Sequence, residues 1–135
     1  MKIEPLITVK DVQLSSRFYQ ETLGLQSGHG GDEYEMLMSG GELVLQLHHQ
    51  DAHDHPGMWE PNLQEGNGVV LWFRTPDFET AVEKIRAVNA QIVAEPHINP
   101  NAQQYEIWFH DPDGYLVVVS SEMGSTQMKE DRNRP

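Results

Sequence analysis

VKDVQLSSRFYQETLGL, residues 9–25, carries the start, the face and the stop of one amphipathic helix. Asp11 suits the N-cap, because a short carboxylate can accept from the free N–H groups of the first helical turn. Leu14, Phe18 and Leu23 follow at near-helical spacing and define the predicted apolar face, and Gly24 stands where a helix would stop. A helix with one apolar face needs a sheet to pack on.

The same pattern returns 66 residues later. Asp77 precedes FETAVEKIRAV, in which Phe78, Ala81, Val82, Ile85 and Val88 form one apolar face. The strand-like stretches IEPLITV and VVLWFRT correspond ahead of the two helices. Downstream, YEMLM at 34–38 echoes YEIWF at 105–109 at an offset of 71, and ELVLQL at 42–47 overlaps LVVVSS at 116–121 when shifted by 72. Each half therefore reads strand, helix, strand, strand, strand, too long a period for a solenoid. Strands are predicted at roughly 2–9, 26–30, 34–39, 42–49, 68–75, 91–95, 104–110 and 115–121. The expected organisation is one domain over 1–122, with a first module at 1–50, a linker at 51–66 and a second module at 67–122, followed by a polar tail at 123–135.

Charge narrows the partners. The formal net charge is -12, and between Arg17 and Arg74 there is no basic residue while nine acidic ones occur. A surface of that sign is a poor match for nucleic acid or an anionic membrane, and favours a neutral or cationic small molecule. There is no cysteine, which removes disulfides, thiolate ligands and a cysteine nucleophile. The apolar runs are strand-sized and MKIEPLITV lacks the features of a signal peptide, so a soluble cytoplasmic protein is expected. No G-x-S-x-G and no phosphate-cradling glycine loop occurs, and GHGG at 28–31 reads as a turn.

The arrangement V-x-D-V-x-x-S-x-x-F-Y-x-x-x-L-G-L at 9–25, together with DPDGY at 111–115, resembles the vicinal oxygen chelate superfamily of glyoxalase I, bleomycin resistance proteins and extradiol dioxygenases. The resemblance implies an α+β fold of two tandem βαβββ modules, their strands curled into a mixed-sheet cup with the helices outside, and commonly a homodimer. Its metal-dependent members place one ligand on the first and one on the last strand of each module. Carried onto this chain, those positions are Glu4, Gln46, Val70 and Val118. Two of the four are valine, which has no lone pair to give, so neither a metal nor another cofactor is expected.

HHQDAHDH at 48–55 offers other donors. Strand alternation turns His48 to the same side as Gln46, as a pocket-wall donor or a substitute ligand, whereas His53 and His55 fall in the linker before Pro56. The same alternation turns Trp72 and Arg74 inward with Val70, and Glu106, Trp108 and His110 inward if Ile107 and Phe109 face the helix. Trp59 lies in the linker, where it could cover the pocket. The expected ligand-binding set is Glu4, Gln46, His48, Trp72, Glu106 and Trp108, with no catalytic residue and no metal ligand. The resulting expectation is a metal-independent protein, resembling bleomycin resistance proteins, that sequesters an aromatic or cationic compound. The alternative is a metal-dependent lyase or dioxygenase with rearranged ligands.

Overall fold

The computed structural model describes residues 1–51, 66 and 68–125. The chain divides into two compact units, Met1–Asn67 and Gly68–Pro135, and each is described by itself. The first contains β1 (Leu6–Val9), α1 (Val12–Leu23), β2 (Gln26–Ser27), β3 (Tyr34–Ser39) and β4 (Glu42–His49). The second contains β5 (Val70–Arg74), α2 (Phe78–Ala87), β6 (Gln91–Asn99), β7 (Gln104–His110) and β8 (Leu116–Ser120). Both are βαβββ modules with matching sheet orders, β1-β4-β3-β2 and β5-β8-β7-β6. In each, the first and last strands pair in parallel across the helix crossover and the rest are antiparallel. This is the α+β repeat expected from the sequence. Neither helix is long and apolar enough to cross a membrane.

The caps are those the sequence indicates. Asp11 Oδ1 accepts from the Leu14 N–H at 3.0 Å, and Asp77 Oδ1 from the Thr80 N–H at 3.3 Å. Gly24 ends α1 in the left-handed region at φ 70°, its N–H donating to the Gln20 carbonyl. A Cβ is strained there, so Gly24→Ala is expected to lower the unfolding free energy by about 1 kcal/mol in urea titrations, with an unchanged slope.

The face α1 buries differs from the predicted one. Leu14 is 46% exposed and Phe18 and Leu23 are half-buried, while Val12, Ser15, Ser16, Tyr19 and Thr22 are buried. The cause lies in the sheet beneath, where a carboxylate, Glu35, stands among Ile7, Val9, Leu37, Leu45 and Leu47 with no exposed surface. Ser16 Oγ donates to it at 2.8 Å, so the helix turns a polar stripe inward. In the second unit the face is apolar as expected. Phe78 and Ile85 are buried, as are Leu71, Ile107, Phe109, Val117 and Val119 of the sheet, each worth roughly 1.5–3 kcal/mol.

Two further differences matter for the site. β1 begins at Leu6 rather than residue 2, and β6 runs on to Asn99 as an edge strand, with register shifts around Ala94 and His97 that accommodate Pro96. The offset between β3 and β7 is also 72, not 71: Met36 pairs with Gln46 just as Trp108 pairs with Val118. The Tyr-Glu echo is therefore one residue out of register, and Glu35 and Glu106 stand on opposite faces of their sheets. His53, His55, Trp59 and the tail beyond Ser125 lie outside the described residues.

Candidate ligand-binding site

The helix-free face of the first sheet is set by the pairing of Leu6 with Gln46, Thr8 with His48, Tyr34 with His48 and Met36 with Gln46. Gln46 is committed at both ends of its amide: the Tyr34 hydroxyl donates to Oε1, and Nε2 donates to the Glu4 main-chain oxygen at 2.9 Å. Burial, and then the charges of Glu4 and Glu35, push the Tyr34 phenol up from its ordinary value, so it stays a donor at neutral pH. His48 is buried, with Nδ1 3.0 Å from the His49 carbonyl; an oxygen that can only accept places the proton on Nδ1. Glu4 itself is exposed ahead of β1.

The helix-free face of the second sheet is richer. Val118 pairs with Trp72 on one side and Trp108 on the other, and Ser120 pairs with Arg74 and Glu106. Trp72 is 45% exposed and Val70 49% exposed, while Val118 is buried. The Trp72 indole is held by its edge, Nε1 donating to Ser120 Oγ at 2.9 Å. Trp108 Nε1 donates to Glu106 Oε1 at 3.0 Å.

Glu106 is the hub of this face. Only 1% of it is exposed, and its Oε2 accepts from Asn99 Nδ2 at 2.8 Å and from Gln104 Nε2 at 2.9 Å. His97 Nε2 lies 3.8 Å from Oε1, and the His97 and Trp108 rings meet edge to face. Burial alone would raise the carboxyl pKa, but the donors Gln104, Asn99 and Trp108 and the proximity of His97 outweigh it and hold it below 4.5. A depressed folded pKa contributes stability that is complete above 4.5 and is lost as pH falls through the lower folded value. Glu106→Gln is therefore expected to flatten the decline in stability below pH 4.5, measured as urea midpoints across that range.

Every residue of the expected set is thus placed. Glu4, Gln46 and His48 belong to the first unit, and Trp72, Glu106 and Trp108 share one face of the second. Tyr34, His97, Asn99, Gln104 and Ser120 are additions from the structure. His97 and Asn99 fall beyond the predicted end of β6, and the others act through bonds between distant positions. Of the positions at which the family resemblance implies metal ligands, Val70 and Val118 of the second unit offer only hydrocarbon, and in the first unit the Gln46 amide oxygen already accepts from Tyr34, so neither pair suits a divalent cation. Among the described residues, no three His, Asp or Glu side chains gather as ligands.

Fold and motifs define a class, and the match to the family model is direct: residues 3–119 match the Glyoxalase/Bleomycin resistance protein/Dioxygenase superfamily, and the chain belongs to it. Virulence protein STM3117 of Salmonella typhimurium is 25% identical over 117 residues, covering 85% of this chain and 79% of the relative. A protein of unknown function from Agrobacterium tumefaciens superposes with a TM-score of 0.75 at 21% identity, over 91% of this chain and 95% of its own. Lactoylglutathione lyase from the same organism superposes with a TM-score of 0.67 at 18% identity, over 89% and 92% of the two chains. At such identities the last two are likenesses of fold.

Proposed function

We propose that this protein binds an aromatic small molecule against the helix-free face of its second sheet, without a metal, and acts by sequestration rather than catalysis. The observation that carries this reading is the state of Trp72. Its indole is pinned through Nε1 to Ser120 while nearly half its surface lies open beside the exposed Val70. A ring fixed by its edge presents a flat apolar face at little entropic cost, which is what stacking requires. Val70, 49% exposed, extends that surface with hydrocarbon at a position where the family resemblance implies a metal ligand, and the buried Val118 packs beneath it. Of the two ligand features expected from the sequence, aromatic and cationic, this geometry supports the aromatic one, because the Glu106 carboxylate is occupied by donors of the chain itself. The proposal includes a homodimer working in the cytoplasm.

The test is calorimetric titration of tag-free protein with 1-naphthalenemethanol, a neutral planar aromatic. A saturable heat with a Kd below about 1 mM, the strength a ligand of that size reaches, supports the proposal. A flat titration to the solubility limit removes it.

A further inference from the structure

We infer that the ligand is an aromatic anion, with its ring on Trp72 and its carboxylate on Arg74; the inference rests on the binding site proposed above. Trp72 and Arg74 are two residues apart on β5, so both side chains leave the same face about 7 Å from each other. They also converge on one partner residue, since Ser120 holds the Trp72 ring and is the ladder partner of Arg74. Arg74 is exposed.

A relay of three side chains sets its availability. Glu106 can only accept, so the buried Gln104 must turn its NH2 toward it, which leaves Gln104 Oε1 facing Arg74 Nη1 at 3.1 Å. The guanidinium is thereby oriented by a neutral amide oxygen, while the nearby carboxylate is spent elsewhere. Among the described residues, no carboxylate lies within ion-pair distance of Arg74. An oriented guanidinium with a full charge and further N–H donors is suited to a planar bidentate acceptor such as a carboxylate. The net charge of -12 opposes this only diffusely, because at physiological salt charges are screened beyond about 8 Å whereas a bidentate contact is made at hydrogen-bond distance.

The experiment compares three probes of one ring system, 1-naphthoate, 1-naphthalenemethanol and 1-naphthylmethylammonium, by calorimetry at about 0.15 M salt on the full chain. Naphthoate is expected to bind about tenfold tighter than the alcohol, the margin a charge-assisted pair adds, and the ammonium weakest of the three. Arg74→Met should bring the naphthoate-to-alcohol ratio to about one, and Arg74→Lys should restore part of it. Equal or tighter binding of the ammonium, or a naphthoate preference that survives in Arg74→Met, overturns the inference while leaving the aromatic site standing. A flat titration of 1-naphthalenemethanol overturns both.

Discussion

Glu35→Ala is expected to lower the unfolding free energy by about 4 kcal/mol at neutral pH, a large loss for one truncation. The carboxylate has no exposed surface and accepts from Ser16 Oγ, Ser27 Oγ, the Gly30 N–H and the His29 N–H at 2.7–3.0 Å, joining α1, β2 and the following loop to β3. Truncation strands these donors, each at roughly 1–3 kcal/mol less whatever entering water recovers. Burial pushes the Glu35 pKa up, yet the bonds from Gly30, Ser27, Ser16 and His29 win and hold it below 4.5. Its contribution is therefore complete above 4.5 and is lost as pH falls through the lowered folded value. Urea unfolding of wild type and Glu35→Ala at neutral pH and below 4.5 should show the gap closing with acid. A gap under about 1 kcal/mol at neutral pH would show that the carboxylate is not the tie between helix and sheet.

The second large effect is on binding. Trp72→Ala is expected to weaken 1-naphthalenemethanol about thirtyfold, or about 2 kcal/mol, from lost stacking and about half an indole of buried area. The indole is substantially exposed, so stability should change little: its deletion opens no sealed cavity. Ser120→Ala frees the ring edge without removing the ring, and should produce a smaller loss of affinity, carried by the entropy of a mobile indole. If Trp72→Ala binds the probe as wild type does, the platform is elsewhere.

Much of the fold is legible along the chain, and the parts that are not share a cause. The two helices announce themselves through Asp11, Gly24 and Asp77, whose capping chemistry is local. The helix-facing strand residues Ile107 and Phe109 correctly turn Glu106 and Trp108 to the other face. The buried side of α1 departs from expectation because apolar spacing assumes an apolar floor, and Glu35 makes that floor polar around Ser16. The repeated Tyr-Glu pair suggests that Glu35 and Glu106 are counterparts, but alternation along the ladder is stricter than identity, and one residue of shift exchanges the faces. The polar relay Arg74, Gln104 and Glu106 depends on which end of an amide turns toward which partner across 30 positions, which no local pattern encodes.

Metal-free binding, as proposed above, is tested by calorimetry of 1-naphthoate on tag-free protein before and after exhaustive chelation, and again with added zinc. The same affinity within about twofold in all three conditions is expected, since the surface consists of indole, valine and guanidinium. Binding that vanishes on chelation, and returns with one equivalent of metal in wild type but not in Glu4→Ala, would show a ligand held through a metal.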